Sequence, residues 1–354
     1  MITKCRPPEI LSEISFPLFE PQTPHPSVRP VFLCFHGCPG KCIYCAQNLQ
    51  SGVQTEPLEA VYSRLHNSLQ SAADHEAPSF EIAFYGGTFT RLPPPWPHRF
   101  IALGQEFREQ GLVSRIRCST RPDALNTEQL LELKTLGLDC IELGVQTFSD
   151  RVLSLSRRGY TGDQATKACE LVQKTGLALG IQLLPGLPGH EPKAWLEDIQ
   201  RTIGQHPALV RLYPCLVLKG TPLQRLWSSG AYQPWTLQET RRALSRGVFR
   251  LFRAGIPVTR IGLAPEPGLL DNVCAGPWHP ALGSIIKSRI LFAVLLFQAL
   301  RLGPGPKRLF CPKSVQGQLY GHQGRHLNRL QRIGIQPADV HFQERTTFRL
   351  QLKN

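Results

Sequence analysis

The chain has 354 residues, 42% hydrophobic and 19% charged, which excludes a disordered or fibrous protein and allows one large domain or two ordinary ones. The 40 Lys/Arg exceed the 26 Asp/Glu by +14, which points to an anionic partner such as nucleic acid, a phosphorylated cofactor or a membrane surface. The N-terminus Met-Ile-Thr-Lys-Cys starts no secretory signal, and the most apolar run, Ile290–Leu300, is far shorter than the ~20 residues of a membrane helix. A cytoplasmic protein with no membrane span is therefore expected, with Ile290–Leu300 as a buried helix. Eleven cysteines without an export signal suggest metal binding or buried thiols, not a disulfide framework.

Residues 1–30 are Pro-rich and read as an irregular N-terminal arm. An alternation follows. Strand-like runs are Pro30–Phe35, Glu81–Tyr85, Arg115–Ser119, Cys140–Val145, Ala178–Leu184 and Leu209–Leu218. Helical patterns follow them at Leu58–Ala73, Arg99–Gln110, Thr127–Leu136, Gly162–Lys174, Pro192–Gln205 and Leu237–Ala254. Asn126 is a start signal, and Gly111, Gly137, Gly176 and Gly255 are stop signals. Six β–α units predict a parallel sheet with helices outside, either doubly wound or an incomplete barrel. Period-2 counting favours the barrel. It puts Arg117, Ser119 and Arg121 on one face, then Glu142, Gly144 and Gln146, then Gln182, then Arg211 and Tyr213. Such a polar stripe on four successive strands suits a barrel open enough to hold a polar ligand. The expected division is a core over 31–255, a barrel-capping extension over 256–302, and a module over 303–354 beyond the hinge Gly303-Pro304-Gly305-Pro306.

The densest chemistry follows the first strand: Cys34-Phe-His-Gly-Cys38-Pro-Gly-Lys-Cys42-Ile-Tyr-Cys45. Cys38, Cys42 and Cys45 form C-x₃-C-x₂-C. Three thiolates on one tight loop can hold three irons of a [4Fe–4S] cube and leave the fourth iron open. Zinc is the rival, with Cys34 as a fourth ligand, although no second C-x₂-C pair follows at a distance.

This loop at the end of the first strand of a six-unit β/α chain resembles the radical S-adenosylmethionine (SAM) superfamily. The Gly37-Cys38-Pro39 form is similar to relatives of the Elongator catalytic subunit. The resemblance covers roughly residues 30–300. It implies a partial (β/α)6 TIM-like barrel of the α/β class, with a small basic C-terminal α+β module. The implied cofactors are a [4Fe–4S] cluster and SAM, and the implied chemistry is reductive cleavage of SAM to a 5′-deoxyadenosyl radical. A flavodoxin- or ferredoxin-type electron donor would be needed. Cys38, Cys42 and Cys45 would ligate the cluster, and Tyr44 would lie among the cofactor residues. Gly86-Gly87-Thr88 resembles the family's Gly-Gly motif, with Thr88 where Glu is usual. Ser119, Arg121, Glu142 and Gln146 resemble residues reaching the SAM carboxylate and ribose; Arg121 could instead pair with Asp123, and Glu142 with a neighbouring strand Arg. Leu184 and Gly186 lie in a loop resembling the one beside adenine, and could equally form a plain Pro/Gly loop. Tyr213 and Lys219 resemble sixth-strand positions near the radical, where Lys219 could also be a solvated loop residue.

Residues 301–354 hold ten Lys/Arg and two Asp/Glu, a net of +8. Gly321-His-Gln-Gly324, followed by Arg325, Arg329 and Arg332, has the outline of a KH-type loop that clamps a nucleic-acid backbone. A capping unit with a solvated basic face gives the same pattern. Only 54 residues follow position 300, too few for the acetyltransferase domain of the Elongator subunit, so acetylation by this chain alone is not expected. Modification of RNA, tRNA included, or of a nucleotide-containing substrate is the leading expectation. The alternatives are a coproporphyrinogen-dehydrogenase-like enzyme acting on a small metabolite, and a non-catalytic RNA-binding protein with a structural metal. The Tyr-x-His-x-Pro-Phe lead of the former is absent from Cys34-Phe35-His36-Gly37.

Overall fold

The computed structural model describes residues 12–21, 27–40, 42–266 and 268–353. Parts of the expected arm, 1–11 and 22–26, lie outside the described residues. The described strands are β1 (Glu13–Pro17), β2 (Ser27–Phe32), β3 (Phe80–Tyr85), β4 (Val113–Thr120), β5 (Cys140–Gln146), β6 (Ala178–Leu183) and β7 (Leu209–Leu212). They continue with β8 (Val217–Leu218), β9 (Val258–Ile261), β10 (Val273–Ala275), β11 (Lys307–Pro312), β12 (Ile335–Gln343) and β13 (Thr347–Leu352). Two compact units result. One holds the described residues of 22–243 and 256–280; the other holds those of 1–21, 244–255 and 281–354.

The first unit is an open parallel half-barrel. Its seven strands run in the order β2-β3-β4-β5-β6-β7-β9, and every neighbouring pair is parallel. Parallel strands covered on both sides read as apolar runs, and β3 is buried along its whole length. The crossover helices start and stop where the local chemistry directs. Asn126 accepts a hydrogen bond from the Gln129 amide, and Gly111, Gly137, Gly176 and Gly255 all take positive φ. At the helix Gly162–Lys174, Thr161 and Gln164 form a reciprocal capping box. Thr161→Ala should therefore lower stability by about 1 kcal/mol, with Thr161→Ser restoring most of it. Urea unfolding would check this, and an unshifted midpoint for Thr161→Ala would rule the cap out as a stabiliser.

Three boundaries differ from expectation. The stretch 209–218 is two strands, because Pro214 offers no N–H to a ladder. The chain turns there, and β8 pairs with β10 in a separate ribbon. Val258–Ile261 is the seventh strand of the half-barrel, so the core does not end at 255. The first barrel strand likewise begins at Ser27, inside the expected arm.

The second unit is a four-stranded sheet, β1-β13-β11-β12, covered on one face by helices. The arm contributes β1 because β13 offers it an edge, and Phe16 stacks on Phe348 at 5.0 Å. The helix Leu282–Leu302 belongs here and not to a barrel cap. Leu291, Leu295, Ala299 and Leu302, at helical spacing, bury against Leu309, Phe348 and Leu350. The expected buried helix Ile290–Leu300 is thus buried on one face only, since Phe297 and Leu300 on its other side are exposed. No described helix is long and apolar enough to cross a membrane.

Candidate active site

A cavity of about 640 Å³ occupies the half-barrel. That volume is within the usual range for small-molecule sites. Its wall runs from Cys38, Cys45, Gln146, Leu184 and Tyr213 at the C-terminal strand ends down to Arg115 and Glu81. The polar stripe read from the sequence is on this wall: Arg117, Ser119, Arg121, Gly144, Gln146, Gln182, Arg211 and Tyr213.

Glu142 belongs to the stripe but does not line the cavity; it lies fully buried beneath it. Its carboxylate accepts from Tyr85 Oη at 3.1 Å, Gln182 Nε2 at 2.9 Å and Arg211 at 3.1 Å, with an Arg117 nitrogen at 3.5 Å. Arg117 also approaches Glu81 at 3.2 Å. Burial, the largest influence, pushes the Glu142 carboxyl upward. Arg211, Arg117 and the Gln182 hydrogen bond more than offset this and leave its pKa lowered. Glu142 thus ties together four wall residues, Tyr85, Gln182, Arg211 and Arg117.

The cysteine loop and the Gly-Gly loop interlock. Thr88 N donates to His36 O at 2.7 Å, and Gln47 Oε1 accepts from both Phe35 N and Gly87 N. A Cβ on Gly37 would sit 2.4 Å from Thr88 O, and one on Gly87 2.3 Å from His36 O; both residues have positive φ. These glycines thus let two backbones touch. Gly86 and Gly87 also line the cavity, whereas Thr88 is fully buried with its hydroxyl 3.4 Å from Cys38 Sγ.

Two guanidinium groups converge on the loop. Arg158 donates to Cys42 Sγ at 3.1 Å, and Arg121 approaches the same sulfur at 3.8 Å. Arg158 also donates to Gly144 O and Tyr160 Oη. Arg121 makes a two-pronged pair with Asp123 and donates to Arg158 O. Arg158 was not legible as a site residue. Its only signal is an arginine pair before Gly159-Tyr160 at a helix end, which reads as solvated charge. The Cys45 thiol is pushed up to about 12, first by burial and then by Cys42 and Cys38 nearby. Cys34 bonds elsewhere, to Ser51 Oγ and Val53 O.

Other expected residues lie off the wall. Lys219 is exposed where the chain turns after β8, and it is not among the cavity residues. Gly186 packs on the Trp235 ring and accepts from Tyr232 Oη at 2.6 Å. In the second unit, Gly321 and Gly324 both have positive φ. A Cβ on either would press within 3.0 Å of His326 or Leu327, so the turn's own packing calls for glycine there. Arg325, Arg329 and Arg332 are exposed, with Arg329 lying over the Phe292 ring at 4.2 Å.

The comparisons with known proteins agree with this geometry. The model described as Radical SAM superfamily matches residues 32–201, and the Radical_SAM C-terminal domain matches residues 207–291. The chain belongs to the radical SAM superfamily, whose enzymes use a [4Fe–4S] cluster and SAM. Within it, the chain falls in the Elongator-like branch. It is 28% identical over 247 residues to the tRNA uridine(34) acetyltransferase of Methanocaldococcus jannaschii, covering 59% of this chain and 46% of that protein. It is 26% identical over 303 residues to Elongator complex protein 3 of Mus musculus, covering 72% of this chain and 54% of that protein. The chain thus spans about half the length of these relatives. The archaeal Methanocaldococcus infernus Elp3, solved with an N-terminal deletion, superposes with a TM-score of 0.59 at 20% identity over 77% of this chain and 64% of that one.

The residues present suit the family's cofactors. No group of three or more described His, Cys, Asp or Glu side chains is placed to hold a single metal ion. A cubane does not ask for that, since each thiolate binds its own iron. Cys38 and Cys45 line the cavity, and Arg158 and Arg121 supply positive charge where a thiolate would form. Tyr44 is on the same wall, and its Oη is buried without a hydrogen-bond partner among the described residues.

Proposed function

We propose that this chain is a radical SAM enzyme that modifies RNA, with Cys38, Cys42 and Cys45 holding the [4Fe–4S] cluster. The observation that carries the reading is the cysteine loop, buttressed by Arg158 and Arg121, at the head of an arginine-lined cavity. When bound, the cluster and SAM supply a 5′-deoxyadenosyl radical that takes a hydrogen atom from substrate.

The protein's residues bind, orient and exclude water. Arg158, a buried cation on the cavity wall, suits the carboxylate of SAM. The backbone of Gly86-Gly87 and the side chains of Ser119 and Gln146 offer polar contacts around it. Arg121, committed to Asp123, acts by holding the Arg158 loop through the Arg158 carbonyl. Tyr213 faces the cavity beside Arg211, and we place it next to the reacting substrate. Lys219, being off the wall, takes no part in this reading.

RNA as substrate is supported by two features. Its relatives include the tRNA uridine(34) acetyltransferase of Methanocaldococcus jannaschii. The C-terminal +8 excess supplies counter-charge for phosphates. A one-electron donor of the flavodoxin or ferredoxin type completes the system. The test is anaerobic iron–sulfur reconstitution, chemical reduction and assay of 5′-deoxyadenosine with and without bulk tRNA. Formation of 5′-deoxyadenosine that rises with tRNA is expected. A full cluster that cleaves no SAM would overturn the enzymatic reading, and cleavage indifferent to RNA would overturn the substrate class.

A further inference from the structure

The open face of the four-stranded sheet carries a ring stack that the site above does not use. Along β11, Leu309 and Cys311 are fully buried on the helix side, while Arg308 is exposed and Phe310 half-buried on the other. Strand register sets His341 of β12 on one side of Phe310 and Arg349 of β13 on the other. The His341 and Phe310 rings are stacked, with centroids 5.0 Å apart and planes 23° apart. The Arg349 guanidinium lies over the Phe310 ring, 4.2 Å from its centroid. Phe310 is thus covered by planar groups from both neighbouring strands, and three π systems form a ladder across the sheet.

The ladder has one open end. β12 is an edge strand, so no further strand flanks His341, and His341 is exposed. Its ring is held upright by Phe310 and offers a preordered surface. The surroundings carry both signs, but the carboxylates of this face are already engaged: Asp339 pairs with Lys353, and Glu13 accepts from Gln351. Arg308 shares the face with Phe310, and neither Arg308 nor Arg349 pairs with a carboxylate among the described residues. An apolar protein segment would find a single half-buried ring here between cations. A nucleic-acid strand finds a ring for a base and free cations for phosphates.

We propose that this ladder is a stacking platform for an unpaired base of RNA, seated on the outer face of His341, with Arg308 and Arg349 serving the adjacent phosphates. The proposal rests on the RNA reading above and deepens it. It assigns recognition to the open sheet face, away from the Gly321–Gly324 turn on the helix side. Single-stranded RNA is the substrate class it fits, because bases within a duplex have no free face to stack.

The test uses the full chain and two probes, a fluorescein-labelled oligouridylate and an unmodified tRNA transcript, followed by anisotropy over a salt series. His341→Ala should weaken oligouridylate binding about tenfold with an unchanged slope of log K against log salt, because stacking releases no counterions. His341→Trp should retain the affinity, and the fluorescence of the new indole should be quenched on binding. Arg308→Ala should lower the slope by about 0.7, the share of one phosphate contact on a single strand. Both positions are exposed, and unchanged thermal unfolding would confirm that the three variants fold. Transcript binding that is indifferent to His341→Ala would overturn the platform and leave the RNA reading standing. Absence of binding to both probes by the wild-type chain would overturn the two together.

Discussion

Cys42→Ser is expected to abolish SAM cleavage and to leave the chain with little iron after anaerobic reconstitution, against about four irons per chain for the wild type. Cys38→Ser and Cys45→Ser should behave alike, because each iron of a three-thiolate cubane depends on its own cysteine. Cys34→Ser should not. Its sulfur is bonded to Ser51 and Val53, and serine keeps a hydrogen-bonding group there. The comparison separates ligand from bystander: iron content and the visible charge-transfer band fall in three variants and persist in the fourth. Equal loss in all four would return Cys34 to the ligand set, and full iron retention in Cys42→Ser would remove Cys42 from it. Cys42 is also the sulfur that Arg158 reaches at 3.1 Å. Its loss leaves a buried guanidinium facing a weaker partner, so some fall in stability should accompany the loss of iron.

The second large effect concerns Glu142. Glu142→Ala should destabilise the half-barrel by about 3–5 kcal/mol at neutral pH, because it strips a buried counter-charge from Arg211 and Arg117. The pH dependence has a definite sign. The Glu142 carboxyl is held below its ordinary value in the fold. Its contribution is therefore full above the pKa of an unfolded glutamate and declines as pH falls through the lowered folded value. The gap between wild type and Glu142→Gln should be constant near neutrality and narrow in acid. Thermal unfolding across that range reads it out. A loss below about 1 kcal/mol for Glu142→Ala would mean that water or Glu81 replaces the missing carboxylate.

The two cases mark how far the sequence could be read. C-x₃-C-x₂-C is a local pattern: the proposed ligands are close in the chain, so their spacing is readable without the fold. The parallel sheet was legible for a similar reason, since strand and helix periods and their stop signals are local. The polar stripe was legible because period 2 fixes which residues share a face, and most of it does line the cavity. Period 2 says nothing of depth along the barrel radius, and so it could not separate wall residues from Glu142 beneath them. Lys219 was placed by its position after a strand, but the strand ended early at Pro214 and the chain turned away.

By itself, then, the sequence determined the superfamily, the cysteine loop and the alternation of the barrel, each encoded within a few tens of residues. Tertiary structure alone decided what the charged groups touch. Arg158 reaches Cys42 across 116 residues of chain, and no periodicity reports such a contact. The fate of the arm and of the helix Leu282–Leu302 was decided in the same way. Each carries an apolar face that must be buried somewhere, and which sheet receives it depends on where an open edge or face is left in three dimensions.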